Sequence, residues 1–320
     1  MYIEAGRPGK HSALRYLLSF IAIILSVFIV ARLIVIGIMF LHAVTRPEGE
    51  FGVGVNPENL GQLLYFMILF TPFIVLFATI FVVVKWIHVR DPRTLVTARS
   101  AVDWQRIFFA FGLWFALSMM MDVIAFFNNP ESYVFQLDLW AFIPLMLIAL
   151  VIISIQTSAE ELFFRGYLFQ IIGLLTKYRL IPILITSLLF GAMHASNPEV
   201  GAYGVVYMMT YYISVGLVLA VCTIMDDGLE LALGYHAANN IYGALIVSPP
   251  DSAIETTSIF AMQSADKTWM MISWFFGAAV FLGVLWRKYN WGGVGKLFAK
   301  IDEPENNLAG NSEAAIDQPT

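Results

Sequence analysis

Apolar positions in this chain gather into long runs separated by short polar segments, with no sustained alternation of period two. The runs fall at about 13–44, 62–86, 105–126, 139–157, 180–196, 203–225, 229–247 and 269–286. Most approach or exceed the roughly 20 residues that carry a helix across a bilayer. A transmembrane barrel would instead show alternating segments of about ten residues. The pattern therefore predicts an all-α, polytopic membrane helical bundle of about eight transmembrane helices. A further helix, about 158–176, is amphipathic at its start.

Composition supports that class. Of 320 residues, 59% are hydrophobic and 13% charged, against roughly 25% charged in a soluble domain. A net charge of −5 offers nothing to nucleic acid. The single cysteine, Cys222, has no internal disulfide partner and no cysteine cluster to join. The first apolar run is too long for a signal-peptide core and is expected to remain as a span.

Loop charge sets an expected orientation, because basic residues favour the cytoplasmic side. Arg7, Lys10 and Arg15 precede the first run, and Lys85, Arg90, Arg93, Arg99 and Arg106 crowd the loop 85–106. Arg287, Lys288, Lys296 and Lys300 follow the last run, while 45–61, 127–138 and 248–268 are acidic. Both termini are thus expected in the cytoplasm, with an even number of crossings. Residues 1–300 read as a single transmembrane domain. The tail 301–320, acidic and with little to bury, reads as disordered. Arg32, within the first run, reads first as a snorkelling side chain.

Candidate chemistry lies in three short patterns inside apolar surroundings. Ionisable groups at membrane depth are costly and mark functional sites. Glu161 and Arg165 are four residues apart on one helical face and suit an ion pair. Glu160 is turned by about 100° from Glu161, which leaves it free to act as a base. A salt-bridged helix start at the membrane interface is the competing reading. His194 follows Phe190 by four residues, and Asn240 follows His236 by four. Asn239 points away from Asn240 and is the weaker candidate. The midpoint between Glu161 and His194 falls at Lys177–Tyr178, in a short polar stretch. A chain reversal there, with arms of roughly 24 Å at 1.5 Å per residue, brings Glu160, Glu161 and His194 to one level. The difficulty is depth. If 139–157 spans alone, Glu160 lies at its cytoplasmic end, a membrane thickness from His194. Either 158–176 re-enters the membrane or its loop protrudes into the cytoplasm.

The patterns Glu160-Glu161-x-x-x-Arg165, Phe190-x-x-x-His194 and His236-x-x-x-Asn240 resemble those of the CPBP family, the CAAX prenyl protease and bacteriocin-processing (Abi) membrane proteins. The resemblance covers roughly 140–247. It implies an intramembrane endopeptidase whose substrate is a peptide or protein tail near the bilayer, with or without a lipid. By that analogy Glu160 activates water, His194 helps to hold it, and His236 and Asn240 donate hydrogen bonds to the oxyanion. Glu161, Arg165 and Phe190 would be structural support. No cofactor is favoured. A zinc-dependent version would use Glu160, His194 and His236 as ligands with an open position for water. Other classes are a non-catalytic scaffold or immunity-type protein of the same fold, and a transporter with Glu160 as its proton-coupling carboxylate. The expected location is the plasma membrane.

Overall fold

The computed structural model describes residues 1–45, 61–254 and 256–301. The expectations for most of the acidic segment 45–61 and for the tail after Ile301 lie outside the described residues. Every apolar run is helical. In chain order the helices of six or more residues among those described are α1 Ala13–Thr45, α2 Gln62–Ile87, α3 Trp104–Asn128, α4 Leu139–Thr176, α5 Leu180–Met193, α6 Pro198–Tyr203, α7 Val205–Asp226, α8 Glu230–Leu245 and α9 Lys267–Lys288. Six of these, α1 to α4, α7 and α9, are long and apolar enough to cross a membrane. The two remaining expected spans, α5 and α8, have 14 and 16 residues. Leu33, Ile36, Phe40, Phe108, Leu147 and Leu188 are exposed on the outer faces, an apolar exterior that suits lipid rather than water. The protein is an all-α, multi-pass integral membrane protein.

Loop acids start several of these helices. The side chains of Asp103, Asp138 and Asp266 accept hydrogen bonds from the first backbone N–H groups of α3, α4 and α9, which would otherwise lack partners. Small residues then set the packing distances. Gly234 of α8 lies against the Ile107 carbonyl of α3, where a β-carbon would overlap it. Gly216 of α7 approaches α5 so closely that a β-carbon would sit 2.9 Å from Ser187 Cα. Close approach through small residues is the usual mode of association where no hydrophobic drive separates helix from lipid.

The expected break between 139–157 and 158–176 does not occur. Both belong to α4, whose 38 residues span about 57 Å at 1.5 Å per residue, well beyond a ~30 Å hydrocarbon core. A π-helical stretch, Leu162–Leu168, lies within it. The backbone stays helical through Glu160, Glu161 and this stretch. Lys177, with φ 59° in the left-handed region, ends α4, and α5 returns antiparallel. The hairpin is therefore real, and it forms because α4 is overlong.

The helices alternate between two ends. At one, the N-terminal segment, the loop after α2, the α4–α5 turn, the α7–α8 turn and the segment after α9 interlock. Tyr2 N donates to Asp227 Oδ1 at 3.1 Å, Leu229 N to Val96 O at 2.7 Å and Ile301 N to Lys177 O at 2.9 Å. Arg99 reaches both Asp226, at 3.1 Å, and Glu230, at 3.2 Å. The opposite end carries a small sheet that the hydrophobic pattern does not predict. Its strands are β1 Tyr133–Phe135, β2 Val247–Ser248 and β3 Phe260–Met262, in the order β1-β3-β2. β1 pairs antiparallel to β3, and β2 parallel. Strands of two or three residues carry too little pattern to be read locally, and the register of β1 is set by a partner strand more than 100 residues away.

Candidate active site

The carboxylate pair sits where the α-helical part of α4 meets its π-helical stretch. Such local changes of winding recur at functional sites because they re-aim side chains. Glu160, Glu161 and Arg165 are all buried, at 4%, 0% and 0% exposure. Arg165 Nη1 donates to Glu161 Oε1 at 3.0 Å, as the four-residue spacing predicts, and Nη2 donates to Gly216 O at 3.3 Å. The Phe190 ring stacks under the guanidinium at 4.3 Å. Arg165 is thus held by α4, α5 and α7 together.

His236, on α8, joins the two carboxylates. Its Nδ1 lies 2.8 Å from Glu161 Oε1, and its Nε2 lies 3.6 Å from Glu160 Oε2. Beside a carboxylate that already accepts from Arg165, Nδ1 carries the proton, which leaves Nε2 of the neutral ring as an acceptor. Glu160 Oε2 is buried without a hydrogen-bond partner. An unsatisfied buried acceptor costs about 1–3 kcal/mol. Two acceptors 3.6 Å apart are too distant to bond directly, yet both lie within reach of one molecule with two O–H groups. Water fits that description.

The other Glu160 oxygen belongs to a relay. Gln156, one turn earlier on α4, donates to Glu160 Oε1 at 2.6 Å and accepts from Asn240 Nδ2 at 3.1 Å. Asn239 Nδ2 donates to Asn240 Oδ1 at 3.2 Å, and Trp114 Nε1 donates to Asn239 Oδ1 at 3.2 Å. Gln156 and Trp114 lie outside the three sequence patterns, and Asn239 is the weaker candidate within the third. Gln156 had a usable signal: a polar residue one turn before Glu160 in an apolar run.

His194 follows the last residue of the returning hairpin arm. It closes α5, with Nδ1 2.7 Å from Phe190 O and its ring stacked on Tyr212 at 4.4 Å. A carbonyl partner commits Nδ1 as donor, so the neutral ring offers Nε2 as an acceptor. The nearest histidine partner of Glu160 is His236. His194 and Glu160 share instead the wall of a cavity of about 480 Å³. Asn240, Asn239, Tyr211 and Trp274 also line it. Among the described residues, no three His, Cys, Asp or Glu side chains are grouped as metal ligands.

A buried acid with one free oxygen on a cavity, braced by an arginine–glutamate pair and a histidine, suits water activation inside a membrane. Residues 139–242, which span the whole constellation, match the model of the Rce1-like family, described as type II CAAX prenyl endopeptidase Rce1-like. The chain is 37% identical over 210 residues to the uncharacterized protein YyaK of Bacillus subtilis (strain 168), covering 65% of this chain and 70% of that protein. No solved structure matches. With the motif-bearing helices, their buried acids and the family match all falling on one segment, the chain belongs to the Rce1-like family of CAAX prenyl endopeptidases.

Proposed function

We propose that the protein is an intramembrane endopeptidase that uses Glu160 as general base toward water. The observation that carries this reading is the free Oε2 of Glu160, buried at the cavity wall and 3.6 Å from His236 Nε2. Water held between these two acceptors gives one proton to Glu160 as its oxygen attacks the scissile carbonyl. His236 orients that water, and its own orientation comes from Glu161. The proton then passes to the leaving amine. A general base of this kind is worth about 10²–10⁴-fold in rate.

Asn240 uses one of its two N–H groups on Gln156, and the other is free to meet the developing oxyanion. His194, with Nε2 as an acceptor, suits holding water or the amine proton better than oxyanion donation. Its protonated form would donate. Preorganised donors at an oxyanion contribute a few kcal/mol each. The substrate is a peptide or protein segment at the bilayer, with or without a lipid, and the membrane is the plasma membrane.

The test is peptide cleavage by the purified protein across prenylated and plain membrane peptides, with Glu160→Gln and a chelator as separate arms. Expected is cleavage by the wild type that drops at least 100-fold in Glu160→Gln and survives the chelator. Wild-type turnover in Glu160→Gln would overturn the assignment of the base. Loss with chelator and recovery with zinc would replace the mechanism with a metal-dependent one.

A further inference from the structure

The cavity at Glu160 is one-sided. Below Glu160, toward the α4–α5 turn, the side chains are fully packed: Leu162, Arg165 and Tyr167 of α4 are buried, as are Leu231, Ala232 and Tyr235 of α8. Above it, the lining continues through Asn197, Glu199 and Tyr203 to Val247, Ser252 and Met262 beside the small sheet. No residue of the interlocked end, from the N-terminal segment, the loop after α2, the turns or the segment after α9, lines the cavity. Tyr203 OH donates to Pro250 O at 3.3 Å, and Lys267 Nζ donates to Tyr203 O at 3.1 Å. These loops frame the mouth.

Charge divides the molecule along the same axis. Arg7, Lys10, Arg90, Arg93, Lys177, Arg179, Lys296 and Lys300 belong to the interlocked end. In the described segments of the sheet end, Lys267 is the sole lysine or arginine, against Glu131, Asp138, Glu199, Asp251 and Asp266. Lysine and arginine bias in short loops fixes cytoplasmic sidedness. From the one-sided cavity and this division we infer that substrate reaches Glu160 from the extracytoplasmic face. The substrate class is then a peptide segment lying at the outer surface of the membrane, not a cytoplasmic tail. The lining holds the carboxylates of Asp122, Glu160 and Glu199 and neither lysine nor arginine, so a neutral or basic segment suits it. This inference rests on the peptidase reading for its substrate, and on the cavity and the loop charges for its sidedness.

Thiol labelling and cleavage in oriented vesicles test the two parts separately. Ser252→Cys at the mouth and Ser118→Cys on the cavity wall are compared with Ser100→Cys, exposed at the interlocked end. The wild type, whose Cys222 is fully buried, serves as the blank. A membrane-impermeant maleimide should modify Ser252→Cys and Ser118→Cys at least tenfold faster in right-side-out than in inverted vesicles, with Ser100→Cys reversed. A membrane-impermeant basic peptide that the detergent-purified enzyme cleaves should be cut by right-side-out vesicles and spared by inverted ones. Labelling of Ser118→Cys from the same face as Ser100→Cys, or preferential cleavage by inverted vesicles, overturns the inference. Absence of cleavage even in detergent counts against the peptidase reading, while the labelling still decides the accessible face.

Discussion

Glu160 and Glu161 are adjacent in the chain, each with one buried oxygen that lacks a hydrogen-bond partner, and they differ in what meets the other oxygen. Glu161 accepts from Arg165 and His236 through one oxygen, so its charge is matched inside the protein. Glu160 has only Gln156 on one oxygen and no partner on the other, which keeps it available. Removing one member of a buried ion pair leaves the other uncompensated, at about 3–5 kcal/mol. Arg165→Met should therefore lower the thermal midpoint sharply as well as activity, with Arg165→Lys recovering part of both. Gln156→Leu should act differently. It removes a donor to a carboxylate, worth about 1.5–3 kcal/mol, so kcat should fall roughly 10- to 100-fold with the protein still folded. Steady-state kinetics on purified variants, with thermal unfolding alongside, separates the two. Equal kcat in Gln156→Leu and wild type would remove the relay from the mechanism.

At the scale of elements, helix contact at the site depends on small side chains. α8 carries His236 and Asn240 and approaches α3 through Gly234, where the Ile107 carbonyl leaves no space for a β-carbon. Gly234→Ala must push α8 from α3, and overpacking of this kind costs about 1–3 kcal/mol. Activity should suffer with stability, because the His236 to Glu160 spacing is set by that helix. Gly283→Ala on α9 meets nothing within 4 Å and should leave the thermal midpoint unchanged or slightly higher. Equal midpoints for the two variants would show that the α3–α8 contact is looser than described.

Across the whole molecule, His88 ties the first helix to the rest beneath the membrane-spanning part. It is buried, with Ser19 Oγ at 3.0 Å, Tyr167 OH at 2.9 Å and Lys10 O at 3.0 Å. Burial holds its pKa below the ordinary value; the Lys10 carbonyl raises it in part, and Arg90, His11 and Arg15 press it lower. A histidine kept neutral in the fold contributes stability that is fully present above its unfolded pKa of about 6.5 and lost as pH falls through the folded value. Thermal midpoints in detergent should therefore drop between about pH 7 and pH 5, and His88→Gln should flatten that dependence. An identical slope in the variant would assign the effect to other groups.

The sequence by itself determined the class and the family. Long apolar runs dictate membrane helices, because backbone polar groups in lipid must be satisfied within the segment. The four-residue spacing dictates the Glu161–Arg165 pair, a local property of any helical turn. The reversal at Lys177–Tyr178 was also legible, from a polar stretch between two apolar arms. Only the tertiary structure decided which histidine faces Glu160, since His236 lies 76 residues away and its height depends on how α8 seats against α3 and α4. It likewise decided that α4 runs unbroken past Glu160, that Gln156 and Asn239 join the site, and that two acidic loops pair into a sheet beside the cavity mouth. Those outcomes follow from contacts between distant segments, where shape and hydrogen-bond partners select among arrangements that the local pattern leaves equivalent.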